Sequence, residues 1–204
     1  MSLLGPRRWP VSLVHGPIGL RPLRRRDAAE WFAVRARNGA WTTPWDGTRP
    51  PEAEGEDITF EQMVRTHNAD ARAGRSLPWL VTWTDPGSRP RLAGQMTISG
   101  IAGGSARWGM AGYWVDSALA GRGIAPTALA LAGDHMFGTL RLHRLEVAIR
   151  PENAASLRVV EKLGFRAEGY RPAYMHVDGA WRDHLMFALH AEEVGPGGLI
   201  GRLG

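Results

Sequence analysis

The sequence predicts a mixed α/β domain of the α+β kind, with helices flanking a mostly antiparallel sheet that contains one parallel pair. Three observations predict it. PWLVTWT (78–84), RLAGQMTIS (91–99) and RWGMAGYWV (107–115) are strand-like runs separated by the turn signals DPGSRP and GIAGGS, the pattern of an antiparallel meander. From Ile124 to Leu140 the apolar residues recur at threes and fours, as a helix requires, and HRLEVAIR then returns to strand. A strand–helix–strand unit of this kind sets its two strands side by side in parallel. Lastly, YRPAYMHVDGAWRDHLMFALH is a hairpin turning at Asp178-Gly179.

The remaining elements fit around this frame. IGLRPLR (18–24) makes a first strand whose proline suits a sheet edge. RRDAAEWFAVRARN is a helix with Asp27 at the N-cap position. NGAWTTPWDGTRPPEAEGED is rich in turn formers and is expected to be a long exposed loop. ITFEQMVRTHNADARAG presents Ile58, Met63 and Val64 on one helical face and stops at Gly74. PENAASLRVVEKLGF (151–165) is an amphipathic helix begun by Asn153 and closed by Gly164 and Phe165. Residues 1–194 therefore form one predicted domain, with GPGGLIGRLG (195–204) a flexible tail.

Composition narrows the function. The chain has 204 residues, enough for a sizeable core, and its 44% hydrophobic and 22% charged content is that of a soluble globular protein. No run reaches the roughly 18 apolar residues of a membrane span. Pro, Gly and Arg interrupt the first 26 residues before a signal-peptide core can form, so a cytoplasmic address is expected. There is no cysteine, which excludes disulfides, thiolate metal sites and a cysteine nucleophile. Acyl transfer would then run directly from donor to acceptor or through another nucleophile. The net charge of +5 is carried almost wholly by arginine, Lys162 being the only lysine. RPLRRR (21–26) reads as solvated surface, and no zinc-finger or RNA-recognition spacing accompanies it. His143, His176 and His184 lack metal-ligand spacing, so no metal is expected.

The chemistry begins at WVDSALAGRGIAPTAL, where Gly121 and Gly123 bracket Arg122 just before the long helix. Unobstructed N–H groups at a helix N-terminus bind phosphate oxygens, and Arg122 adds charge; a plain flexible turn with an exposed arginine is the competing account. The turn is neither a dinucleotide fingerprint nor a P-loop, because the further glycine of the one and the Gly-Lys-Ser/Thr of the other are missing.

Taken together, the strand, the GRGIA turn, the long helix, the LEV strand and N-x-x-S-x-x-V-x-EKLGF resemble the acyl-coenzyme A half of the GNAT acetyltransferase superfamily. The resemblance covers residues 91–190, with 18–38 matching the opening strand and helix. The conjunction is specific although none of its pieces is. NxxSxxVxEKLGF, GAWRDH and RNGAWTTPWDGT are similar to the RimJ/RimL-like branch, whose members acetylate N-terminal α-amines of ribosomal proteins. One position departs: Ala120 stands where the family's Q/R-x-x-G-x-G/A turn carries Gln or Arg.

The resemblance implies acetyl-coenzyme A as cofactor, held between two splayed strands. Its pantetheine arm would pair with Trp114 and Val115 on one side and with Ala148 and Ile149 on the other. Its phosphates would meet the turn and first helical residues, Arg122, Gly123, Ile124, Ala125, Pro126 and Thr127. Asn153 and Ser156 would reach it from the next helix. Glu146 is the candidate base, set by alternation on the strand face opposite Leu145, Val147 and Ile149; a salt bridge to Arg150 or an opening to solvent is its plain alternative. RimI-like relatives place a glutamate in the same LEV context. They also carry a tyrosine acid at the position of Val160, and RimJ/RimL-like enzymes carry a serine at the position of Ser156, which is therefore the candidate acid. Its plain alternative is a helix-start residue that only satisfies backbone groups. Trp41, Trp45, Tyr113 and Tyr174 are candidates for the acceptor side.

The expected activity is an N-acetyltransferase acting on a protein N-terminal amine. A small-molecule amine (polyamine, amino acid or aminoglycoside) is the alternative acceptor. A domain that binds acyl-coenzyme A or nucleic acid without turnover is the alternative class. A monomer or homodimer is expected, with neither metal nor membrane as partner and with nucleic acid met only through a ribosomal substrate.

Overall fold

The computed structural model describes residues 9–53, 55 and 57–204. Residues 1–8, the start of the predicted domain, and residues 54 and 56 of the predicted loop lie outside them. Among the described residues, eight strands form one sheet: β1 (Leu13–His15), β2 (Ile18–Pro22), β3 (Leu77–Trp83), β4 (Arg91–Ala102), β5 (Trp108–Val115), β6 (Arg144–Ile149), β7 (Arg166–Val177) and β8 (Ala180–His190). Their spatial order is β1-β2-β3-β4-β5-β6-β8-β7, and only the β5–β6 pair is parallel.

Helices cover both faces. α1 (Ala28–Arg37) and α3 (Phe60–Arg72) lie on one, while α4 (Ile124–Asp134) and α5 (Ala154–Lys162) lie on the other. Between α1 and α3 comes the short α2 (Gly39–Thr42). β3 is consequently buried from Leu77 to Thr82, side chain after side chain, because the residues of both its faces are covered. Trp79 and Val81 belong to the large core under α4 and α5, whereas Leu80 packs with Val34, Phe60 and Val64.

β4 and β5 shape the centre of the sheet. The β3–β4 register slips between Val81 and Thr82, leaving Ala93 as the extra residue of a bulge. The Ala93 carbonyl instead accepts Asp116 N–H at 2.8 Å. Beside it, Gly94 passes so near β5 that a Cβ there would lie 2.1 Å from the Trp114 carbonyl oxygen. The end of β5 is thereby held against β4. Its parallel ladder with β6 runs only from Trp108↔Arg144 to Ala111↔Val147, and the two strands separate beyond it.

Several expectations need correction. β2 is not the sheet edge, because the unpredicted strand β1 pairs with its residues Ile18 to Leu20; Pro22 lies beyond β1 and so blocks no hydrogen bond. Asp27 precedes α1 but does not cap it; its carboxylate takes both Arg21 Nη atoms (2.7 and 2.8 Å) and Arg24 N–H (2.8 Å). The stretch expected as an exposed loop contains α2 and a 3-10 turn (Thr43–Trp45), with Asn38 and Thr42 buried. Thr59 caps α3 reciprocally with Gln62, and Phe60, Val64 and Ala71 form its buried side, leaving Ile58 outside the helix and exposed. α4 ends in one wide π turn, His135–Thr139. The tail expected to be loose is packed: Leu199 is fully buried, and Asp134 accepts the N–H groups of Leu199 (2.6 Å) and Ile200 (3.2 Å).

Candidate active site

Where β5 and β6 part, a cleft of about 950 Å³ opens between β5, the turn before α4, the first turn of α5 and the Ala40–Gly47 segment. β5 is paired with β4 through Val115, but Gly112–Val115 have no partner on the β6 side. Ala148 and Ile149 likewise pair only with β8. The gap thus presents main-chain edges with no strand partner, the Val115 carbonyl alone accepting a side chain, and an extended ligand can match such edges as an added strand does.

The glycine turn forms one end of the cleft. Gly123 is the N-cap of α4 in the left-handed region (φ 73°), and no side chain caps the helix. A Cβ would meet nothing within 4 Å at Gly121 or Gly123, so the turn's main chain is unobstructed. The first helical hydrogen bond is Thr127 N–H to the Gly123 carbonyl at 3.1 Å, leaving the N–H groups of Ile124 and Ala125 ahead of it for a ligand. Gly123, Ile124, Ala125 and Pro126 all line the cleft. Arg122 does not; its guanidinium lies over the Trp83 ring, 5.5 Å from the centroid.

At the first turn of α5, Asn153 Oδ1 accepts Ser156 N–H at 3.0 Å. The cap occupies the backbone of Ser156 and leaves its hydroxyl free for other partners. Both side chains line the cleft, as do Trp114 and Val115. Tyr113 joins them from β5, and burial pushes its phenol up to about 12 against the opposing effect of the Ser156 hydroxyl.

The opposite wall is the α2 segment. Trp41 Nε1–H donates to the Val115 carbonyl at 3.2 Å, and the Arg150 guanidinium lies over Trp45, donating to the Pro44 carbonyl at 2.6 Å. Both tryptophans line the cleft. Further along, Gly47 bridges to Val177 and Thr48 N–H donates to the His176 carbonyl at 2.9 Å, tying the segment to the β7–β8 hairpin.

Other residues singled out in the sequence stand apart from the cleft lining. Thr127 is buried in α4. Tyr174 lies under the Arg171 guanidinium and packs edge-on against His184. His184 is buried, and its Nδ1–H donates to the Arg182 carbonyl at 3.0 Å; burial holds its imidazole below the usual histidine range. Glu146 shares a sheet face with Met110 and hence with Gly112, which lines the cleft. Its carboxylate accepts Arg144 Nε–H at 2.6 Å, so Arg144 and not Arg150 is its ionic partner. His143 stacks on His190 at 4.9 Å and pairs with Glu192. Ligand atoms of these three lie within 4.8 Å of one another, a grouping hidden from sequence spacing, yet the Arg144 guanidinium is bonded to His190 Nε2 at 2.9 Å.

Two residues that sequence reasoning missed hold the cleft's corner. Asp116, fully buried just after β5, takes Arg37, Asn38 Nδ2–H (2.8 Å) and Ala118 N–H (3.2 Å). Burial pushes its carboxyl up, but those donors outweigh it and hold the group below the usual carboxylate range. Asn38, also buried, accepts Ser117 N–H at 2.8 Å and so fastens the end of α1 to the same corner. The turn former in NGAW and the Asp after YWV were the only signals available.

Comparison with known proteins defines the class. Residues 18–166 match the acetyltransferase (GNAT) domain. The [ribosomal protein uS5]-alanine N-acetyltransferase of Escherichia coli (strain K12) is 33% identical over 187 residues, 92% of this chain and 94% of that one. The structure of Mycobacterium smegmatis RimJ in complex with CoA-disulfide superposes with a TM-score of 0.86 at 37% identity, covering 98% of this chain and 96% of that one. The ribosomal-protein-S5-alanine acetyltransferase of Vibrio fischeri gives 0.77 at 26% identity, covering 91% and 100%. The chain belongs to the GNAT acetyltransferase family, in its RimJ/RimL-like branch, and is an N-acetyltransferase.

Proposed function

We propose that the enzyme transfers acetyl from acetyl-coenzyme A to the N-terminal α-amine of a ribosomal protein. The observation that carries the donor half is the splayed β5–β6 gap, with its unpaired main chain and uncapped α4 turn. The acceptor half rests on likeness to the uS5-alanine enzyme across nearly the whole chain.

The protein's own groups divide the work. Main chain of Trp114, Val115, Ala148 and Ile149 holds the extended arm of the donor, and the N–H groups of Ile124 and Ala125 meet its phosphates. With Ala120 in place of Gln or Arg and Arg122 turned to Trp83, that end relies on backbone donors. Ser156 is the acid. Trp41 and Trp45 wall the acceptor. Glu146 is the base, working through water because Arg144 holds its carboxylate. An α-amine has a pKa of about 7.7–8.0, so a modest base suffices to keep it neutral.

The test is thiol release from acetyl-coenzyme A with peptides beginning in alanine or serine, set against polyamines, single amino acids and an aminoglycoside. Fast turnover on peptides alone is expected. Turnover on small amines alone would overturn the acceptor, and tight cofactor binding without thiol release from any amine would overturn the activity. Glu146→Gln should flatten the rise of kcat/KM with pH; an unchanged profile places the base elsewhere.

A further inference from the structure

Alternation along β5 sends Tyr113 to the same face as Met96, its cross-strand partner, which is fully buried in the core beneath α4 and α5. The ring is well accommodated there, but the hydroxyl is not: Tyr113 Oη is buried and makes no hydrogen bond of good geometry. Its polar neighbour is the Ser156 hydroxyl. A phenylalanine would fill the same volume without burying an unsatisfied hydroxyl, and burying one is unfavourable. The oxygen is therefore unexplained by packing, and it lies in a residue that lines the cleft beside the proposed acid.

We propose that Tyr113 is a positioning residue for acetyl transfer: in the loaded cleft its hydroxyl donates a hydrogen bond to Ser156 Oγ and directs the Ser156 O–H into the cleft. This rests on the assignment of Ser156 as acid. Asn153 fixes only the backbone of Ser156, so rotation about its χ1 is otherwise free to aim the hydroxyl elsewhere. The phenol is pushed up to about 12, so it remains a protonated donor throughout the range in which an α-amine titrates. Acetyl-coenzyme A, when bound, supplies a thioester whose C–S bond breaks, its electron pair going to sulfur, as the acceptor nitrogen forms the C–N bond and releases a proton to base and solvent. Ser156 gives its proton to that sulfur and is reprotonated from water. Tyr113 keeps its own proton, and a hydroxyl that accepts a hydrogen bond is a better donor in turn.

The experiment is a double-mutant cycle on Tyr113→Phe and Ser156→Ala, reading kcat, the Kd of coenzyme A by calorimetry and the thermal midpoint. Tyr113→Phe should lower kcat about tenfold, leave the Kd unchanged and leave the midpoint equal or higher. The double variant should be no slower than Ser156→Ala alone. Losses that multiply in the double variant, a kcat within twofold of the parent for Tyr113→Phe, or a loss tracked by a lower midpoint would each overturn the proposal. If Ser156→Ala itself turns over normally, the assignment of the acid fails and this proposal falls with it. If Ser156→Ala is crippled and Tyr113→Phe is not, only the role of Tyr113 fails.

Discussion

The two walls of the cleft are built by different means. On the β5–α4–α5 side the working groups are main chain and small side chains, displayed by a bulge, a glycine turn and two helix starts, all formed by residues near in sequence. On the α2 side the working groups are large rings, held by side-chain ties that reach far along the chain, from Trp41 to Val115, from Arg150 to Pro44 and from Thr48 to His176. A wall made of backbone has few side chains whose loss can damage it, whereas a wall made of long-range ties can be loosened one tie at a time. On the proposed reading, the first suits a donor that never changes and the second an acceptor that sets specificity.

The sharpest way to break the comparison is at the backbone wall's tightest close approach. Gly94→Ala would set a methyl group against the Trp114 carbonyl, and the backbone must move to relieve it. We expect a loss of roughly 3 kcal/mol in chemical denaturation, with weakened coenzyme A binding, since Trp114 and Val115 at this contact are the residues beyond the end of the β5–β6 ladder. A stable variant with normal binding would show that the bulge does not set the splay. On the other wall, Trp41→Ala should raise the acceptor KM roughly tenfold and the Kd of coenzyme A less, because on the proposed reading the acceptor loses a whole indole face whereas Val115, on the donor side, loses one hydrogen bond. Equal weakening of both ligands would mean that the walls are not separable. The smallest effect lies away from both, in the Arg144–Glu168–Arg166–Glu193 chain. The Arg144 guanidinium, helped by Arg166, holds the Glu168 carboxyl down at about 2. Its contribution is therefore present above the ordinary value of 4.5 and is lost as pH falls from there through about 2. Glu168→Gln should lower the thermal midpoint slightly at pH 6 and progressively less as pH falls toward 2, with cleft binding at neutral pH unaffected.

The same division explains what the sequence disclosed. The meander, the strand–helix–strand unit, the Asn153 cap and the Asp178-Gly179 hairpin are local patterns of period, cap and turn, and each is where the residues put it. Gly123–Pro126, Trp114, Asn153 and Ser156 were likewise legible as cleft residues, because each sits in a short local pattern of turn, strand or cap. Trp41 and Trp45 could be named but not placed, since their positions depend on partners 74 and 105 residues onward. Asp116 and Asn38 were missed for the same reason: an Asp after a strand and an Asn after a helix look like ordinary loop residues until the fold brings them together. β1 carries too little apolar pattern in three residues to stand out.

The packed residues 199–202 bear on the geometry of catalysis from a distance. Leu199 and Ile200 are bonded to Asp134 at the far end of α4, and Arg202 Nη1–H donates to the carbonyl of Leu163 at the far end of α5. The two helices whose starting turns frame the cleft are thus strapped together at their opposite ends. They resemble the arms of a pair of callipers, joined at a point that touches neither the α4 turn nor Ser156.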